Sequence, residues 1–270
     1  MLRISLKEIT LHHPEAIINI NNLIDNISYI KNYVGNNVKI MPVVKANAYG
    51  HGINEICKVL SKNVALLSEA INIRNNNLDN EILHLGSMNH EFHPIFLDKK
   101  LILTINSQYD INFLEEIGKI NNHIFRVHIK IDTGMTRLGV LKKNIKKIKE
   151  SLINSMFINV EGIYTQLSSA DEDDQSSTLL QREEFIEVSD YFCKHINSIK
   201  FKHFTPSAGL LKDQKNHFNM VRPGISLYGV SNVTEKHPLK PVLRLEAPVC
   251  LIKNVTKGSY IGYNKTYTNN

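Results

Sequence analysis

One lysine in this 270-residue chain stands where an amine could do covalent chemistry. In residues 41–52, MPVVKANAYGHG, an apolar run ends in Lys45 and a Gly-containing segment turns the chain onward. A lysine closing a strand of an α/β barrel faces the end where such active sites lie. Partial desolvation there would favour the neutral amine that forms Schiff bases with carbonyls. Taken alone, a strand lysine is more often an edge residue, its stem on apolar surface and its head in water. A second feature is the Ser-Ala-Gly turn in residues 205–210, TPSAGL. Such turns are common in loops, and this one gains meaning by following the seventh strand-like run, where barrels often bind phosphate. The acidic run 171–174 reads as a solvated loop capping the next helix. The twelve histidines form no ligand pattern: His90 and His93 are three apart with no matching third ligand, so no metal is assigned.

The elements that must position these residues are legible as alternating patterns. Runs rich in β-branched and aliphatic residues lie at 38–44, 64–68, 81–85, 101–105, 123–131, 157–164, 200–205 and 220–228. Helical spacing lies between them, at 108–120, 142–152 and 176–195. Strand alternating with helix means a parallel sheet covered by helices, and eight strands point to a closed (β/α)8 TIM-type barrel. After Gly229 the pattern changes: residues 241–255, PVLRLEAPVCLIKNV, are apolar and proline-bearing without helical period, and the turn Lys257-Gly258 follows. This reads as the start of a β-rich domain. The expected organisation is an N-terminal strand at 1–10 associated with the β domain, a barrel at 11–238, and the opening of an incomplete β domain at 239–270.

Composition sets outer bounds. Hydrophobic residues are 42% and charged residues 21%, ordinary for a globular chain with a packed core. No apolar run has the length of a signal peptide or a membrane span, so a cytoplasmic protein without membrane association is expected. The net charge of +6 does not signal nucleic acid, because its one dense lysine run, 141–150, has the spacing of an amphipathic helix with a solvated face. Cys57, Cys193 and Cys250 lie far apart and are expected to be reduced and mostly buried.

The block at 41–52 resembles the cofactor-attachment motif of the alanine racemase family, and the resemblance recurs in order at 129–140 (IKIDTGMTRLGV), 161–174 (EGIYTQLSSADEDD), 205–210, 220–229 (MVRPGISLYG) and 260–268 (YIGYNKTYT). It implies a pyridoxal 5'-phosphate (PLP) enzyme with Lys45 carrying the cofactor. Arg137 would approach the phenolic oxygen of PLP and bind the substrate carboxylate with two parallel hydrogen bonds. Ser207, the backbone of Gly224 and Ile225, and the Tyr49 hydroxyl would hold the phosphate. Arg222 would face the pyridine nitrogen, where a permanent cation disfavours protonation. Racemisation needs an acid/base on each face of the reacting carbon. The resemblance assigns Lys45 to the D-alanine face and Tyr263, arriving from the other subunit of a homodimer, to the L-alanine face. The implied role is interconversion of L- and D-alanine, with D-alanine going to peptidoglycan.

The chain departs from that pattern in two places. Gln166 stands where the family usually has a histidine beside the pyridine ring. Most of the family's C-terminal β domain has no counterpart, which leaves Val242, Leu243, Leu245, Val249, Leu251 and Ile252 without their usual cover. The alternatives are an inactive fragment, a PLP-binding barrel protein without racemase turnover, or a PLP-dependent decarboxylase on the same barrel. The block KANAYGHG and the segment around Tyr263 weigh against a simple PLP-binding barrel, and the block at 220–229 against a decarboxylase.

Overall fold

The computed structural model describes residues 14–60, 62–65, 67–234 and 236–270, so the strand expected at 1–10 lies outside the described residues. The chain divides into two compact units, Asn19–Val242 and a smaller one that joins the residues up to Ile18 with Leu243–Asn270.

Strand β1 (Glu15–Ile18) belongs to the smaller unit, and the larger one opens with α1 (Ile20–Val34) and β2 (Lys39–Ile40). A short turn α2 (Lys45–Tyr49), α3 (Ile53–Val59), β3 (Lys62–Ala65), α4 (Leu67–Asn75) and β4 (Glu81–His84) follow. Next come α5 (His93–Asp98), β5 (Leu103–Ile105), α6 (Gln108–Asn121), β6 (Phe125–Lys130), α7 (Ile145–Ile153) and β7 (Ile158–Tyr164). The unit ends with α8 (Ser176–Cys193), β8 (Phe201–His203), α9 (Ser207–Lys212) and β9 (Met220–Val221).

Local sequence accounts for the helices. Ser107 and Asp110 form a reciprocal capping box at the start of α6, whose Ile111 and Leu114 are buried. In α7 the buried residues are Ile145, Ile148 and Leu152, one face of a helix; Lys146 and Lys147 are exposed on the other, and Lys149 is half-buried over the Tyr191 ring. Apart from Lys149 the dense basic run is a solvated face, as its spacing indicates.

A six-stranded sheet has the order β2-β9-β8-β7-β6-β5, with every neighbour parallel. β3 pairs with β4, and a parallel bridge between Leu83 and Ile102 carries the ladder from β4 towards β5, with the His84 amide donating to Ile102 and the Ile102 amide to Ile82, both at 2.9 Å. Eight strands thus follow one another in sequence order, and the first of them, β2, lies beside the last, β9. That cyclic order is the (β/α)8 barrel. Met41, Val43, Leu83, Ile102 and Met220 form a buried cluster contributed by several strands.

Three strands depart most from their sequence runs. Of 220–228 only Met220–Val221 is strand, because Pro223 has no N–H for a ladder and Ile225–Tyr228 winds into a 3-10 turn. Of 38–44 only Lys39–Ile40 is regular, although the amides of Met41 and Val43 still donate to Val221 and Pro223 at 2.9 and 2.8 Å. The run 64–68 gives way to α4 at Leu67.

In the smaller unit β1 pairs antiparallel with β10 (Leu243–Glu246), and β11 (Tyr260–Ile261) pairs antiparallel with β12 (Tyr267–Thr268). Of the apolar stretch 241–255 only β10 is strand, and Leu245, Val249, Leu251 and Ile252 are exposed. Cys57 is buried and Cys193 partly so, whereas Cys250 is exposed, which corrects the expectation for that thiol.

Candidate active site

A cavity of about 250 Å³ in the barrel unit brings together Lys45, Tyr49, Gln166, Ser207, Arg222, Gly224 and Ile225. Arg137 and Tyr263 are placed elsewhere. Arg137 is exposed on the loop after β6, and Tyr263 belongs to the smaller unit, in the turn between β11 and β12, with its side chain 96% exposed.

Lys45 follows the buried residues Met41 to Val44 and is itself exposed. Its position is set by an unusual backbone: Ala46, Asn47, Ala48 and Tyr49 all have φ between 53° and 55°. Consecutive left-handed residues other than glycine cost roughly 1–2 kcal/mol each, and persist only where the surroundings over-determine them. Here the Asn47 amide donates to Glu69 of α4 at 3.1 Å, and the Asn47 side chain accepts from the Ile53 amide at 2.9 Å. The Gly50 amide closes the turn onto the Ala46 carbonyl at 2.9 Å.

Opposite the turn, three donors converge on one oxygen. The Ser207 hydroxyl accepts from the Gly224 amide at 2.9 Å, the Ser226 amide at 3.2 Å and the Ser226 hydroxyl at 3.1 Å. Backbone and hydroxyl donors aimed at one point form an anion cradle. The amide of Ser226, not that of Ile225, shares this point with Gly224. Gly224 is required by close approach: a Cβ there would lie 2.7 Å from the Tyr49 hydroxyl oxygen. Burial pushes the Tyr49 hydroxyl above its ordinary pKa, so at neutral pH it remains a donor.

Arg222 is buried and held on several sides. One terminal nitrogen bonds Nδ1 of His203 at 2.6 Å; the other donates to the Thr165 carbonyl at 2.7 Å and reaches Oε1 of Gln166 only at 3.4 Å. Its guanidinium lies 5.0 Å from the centre of the Tyr164 ring. Burial lowers its pKa to about 10, still well above neutral, so it stays a cation. Burial, Arg222 and His128 together push His203 well below the ordinary histidine range. The neutral ring accepts from Arg222 at Nδ1, so its proton sits on Nε2 and is donated to Nδ1 of His128 at 2.8 Å.

Sequence reasoning missed Lys130, the last residue of β6. It is 5% exposed, 5.9 Å from the Tyr164 ring centre, with its pKa lowered to about 8 by burial and then by Arg137 and Arg222. Its only signal was a lysine ending a buried run. Arg137 itself rides a loop closed between Ile131 and Val140, where Asp132 accepts from the amides of Gly134 and Thr136 at 3.1 and 3.0 Å. Gly139 sits at the neck with φ 127°, where a Cβ would lie 2.7 Å from the Asp132 nitrogen.

A parallel eight-stranded barrel with an amine, a cationic guanidinium and an anion cradle around one cavity defines a barrel enzyme of small-molecule chemistry. Comparison with known proteins narrows the class. The family profile described as "Alanine racemase, N-terminal domain" matches residues 18–232. The chain is 35% identical over 264 residues to the alanine racemase of Clostridium tetani, spanning 93% of this chain and 68% of that protein. It superposes on the alanine racemase structure from Clostridium difficile 630 with a TM-score of 0.85 at 32% identity, covering 97% of this chain and 71% of that one. A Bartonella henselae alanine racemase structure, described as having covalently bound pyridoxal phosphate, gives 0.82 at 26% identity over 95% of this chain and 72% of its own. The chain belongs to the alanine racemase family.

Proposed function

We propose that the barrel unit binds PLP through Lys45 and that the chain contributes to the interconversion of L- and D-alanine. The observation that carries this reading is the convergence of three donors on the Ser207 hydroxyl, in the same cavity as Lys45, Tyr49 and Arg222. These residues fit the group: an anion cradle for a phosphate, a hydroxyl donor beside it, an amine for an aldehyde, and a fixed cation for a ring nitrogen. The covalently bound pyridoxal phosphate of the Bartonella relative supports the same choice. When bound, PLP supplies an aldehyde that condenses with amines and an electron-poor ring that makes the α-proton of an amino acid removable.

The chain's own residues do the rest. Ser207, Gly224 and Tyr49 hold the phosphate, with Ile225 beside them. Arg222, kept cationic and fixed by His203 and Thr165, faces the ring nitrogen, and Gln166 borders it. Arg137 takes the substrate carboxylate. Lys45 moves the α-proton on one face of the reacting carbon, and Tyr263 of the partner subunit in a homodimer moves it on the other. In this role the protein acts in the cytoplasm and supplies D-alanine for peptidoglycan. The residues that line the cavity all belong to the barrel unit and suffice to hold the cofactor without Tyr263, which favours a second reading, a PLP-binding barrel without racemase turnover.

The test has two parts. The chain is incubated with PLP, reduced with borohydride and mapped by mass spectrometry; the pyridoxyl group is expected on Lys45, and labelling of another lysine would overturn the site. The loaded chain is then given D- and L-alanine in deuterated water. Interconversion supports racemisation, whereas deuterium uptake from D-alanine without inversion supports the second reading.

A further inference from the structure

Gln181, on α8, lines neither the cavity nor the surface: it is 3% exposed and every hydrogen-bonding capacity of its amide is used. Its nitrogen donates to the Thr133 hydroxyl and to the Gln166 carbonyl, both at 3.1 Å. Its oxygen accepts from the Ser168 amide at 3.0 Å and from the Ser168 hydroxyl at 3.1 Å. The orientation of the amide is dictated by these partners. Turned over, it would set its nitrogen against the Ser168 N–H and its oxygen against the Gln166 carbonyl.

These partners lie on two different loops. Thr133 begins the loop after β6 that carries Arg137, and Gln166 and Ser168 form the part of the cavity wall that follows β7. Thr133 also bonds the Thr165 hydroxyl at 2.8 Å, and the Thr165 carbonyl holds Arg222 at 2.7 Å. One amide therefore links the Arg137 loop, the cavity wall and, through two threonines, the buried arginine.

We propose that Gln181 is a positioning residue of the site, setting the spacing between the loops after β6 and β7 and with it the placement of Gln166, Ser168 and Arg222. Buried polar networks act in this way because an unmade bond leaves partners unsatisfied. Gln181→Leu would strand the Ser168 amide and the Gln166 carbonyl, whereas Gln181→Glu, kept protonated by burial, preserves the volume, the acceptor for Ser168 and one of the two donors.

The inference rests on PLP occupying the cavity, and the experiment separates the two. Dissociation constants for PLP are measured by absorbance titration for the parent chain, Gln181→Leu and Gln181→Glu, with melting temperatures alongside. Backbone hydrogen exchange of the ligand-free chains is followed over residues 132–140 and 165–171. The expected result is a rise in dissociation constant of at least about tenfold for Gln181→Leu, a smaller rise for Gln181→Glu, and faster exchange confined to those two loops. Binding within twofold of the parent, with unchanged protection of the loops, would overturn the proposal. Should Gln181→Leu not fold, Gln181→Glu with parental binding and protection would overturn it equally. A parent chain that binds no PLP would sink the functional reading, and faster exchange at the two loops in the ligand-free variants would still support the positioning role.

Discussion

Lys130 is a costly charge in the barrel. Its amine has been moved from an ordinary pKa of 10.5 to about 8, chiefly by burial and then by Arg137 and Arg222, with Asp132 opposing. A lysine whose folded pKa is depressed binds its proton more tightly in the unfolded chain. The resulting penalty is absent above about pH 10.5, accrues as pH falls towards 8, and is complete below it. It amounts to about 3 kcal/mol at neutral pH. Replacing the residue with methionine, of similar reach and no charge, is expected to stabilise the chain at pH 7 and to have a much smaller effect at pH 10.5. Urea midpoints at the two pH values check this; an equal or larger gain at pH 10.5 would refute it. The residue scale is also where sequence was least informative. A lysine ending a strand looks the same whether its amine is exposed, as at Lys45, or enclosed, as at Lys130, because the difference lies in what the neighbouring strands and loops place over it.

Among the elements, the barrel strands and the helices between them were legible because hydrophobic period and length survive in the sequence even where the strand proper is only two residues, as in β2 and β9. The left-handed turn after Lys45 was not. No propensity favours four such residues from Ala, Asn, Ala and Tyr, and the conformation is imposed by Glu69 and Asn47 through tertiary bonds. The 3-10 turn at Ile225–Tyr228 was likewise hidden, since its apolar residues read as strand. These two turns meet at Gly224 and Tyr49, which gives a prediction at this scale. Gly224→Ala would press a Cβ to 2.7 Å from the Tyr49 hydroxyl oxygen and is expected to weaken PLP binding by about tenfold or more. Without that hydroxyl the nearest ring atom lies at 3.3 Å, an approach that a small shift relieves. In a Tyr49→Phe background the same alanine should therefore cost much less, and a double-mutant cycle of PLP dissociation constants measures the coupling. Fully additive effects would show that the two side chains do not oppose each other.

At the scale of the whole molecule, several buried imidazoles act together. Burial pushes His84 down to about 4; His203 lies well below the ordinary range through burial, Arg222 and His128; and His217 is lowered by burial despite its bond to the Leu210 carbonyl. Each is neutral in the folded chain, and each would take a proton near pH 6.5 once unfolded. Below that pH the unfolded state therefore binds more protons, so stability is retained above about 6.5 and lost as pH falls towards 4. The two most strongly lowered groups, His84 and His203, give a limiting slope of about 3 kcal/mol per pH unit, to which His217 adds. His203 matters beyond its share, because a proton on it would place a second cation 2.6 Å from the Arg222 guanidinium and remove the acceptor that holds it. Acid should thus release Arg222 and unfold the barrel in the same pH window. The expected outcome is a urea midpoint nearly constant between pH 6.5 and 8 that falls steeply from pH 6.5 to 4. His84→Leu removes one of these protons and should reduce that slope by up to about a half. A midpoint that holds steady down to pH 4.5 would mean that these histidines are already protonated, or already reached by water, in the folded chain.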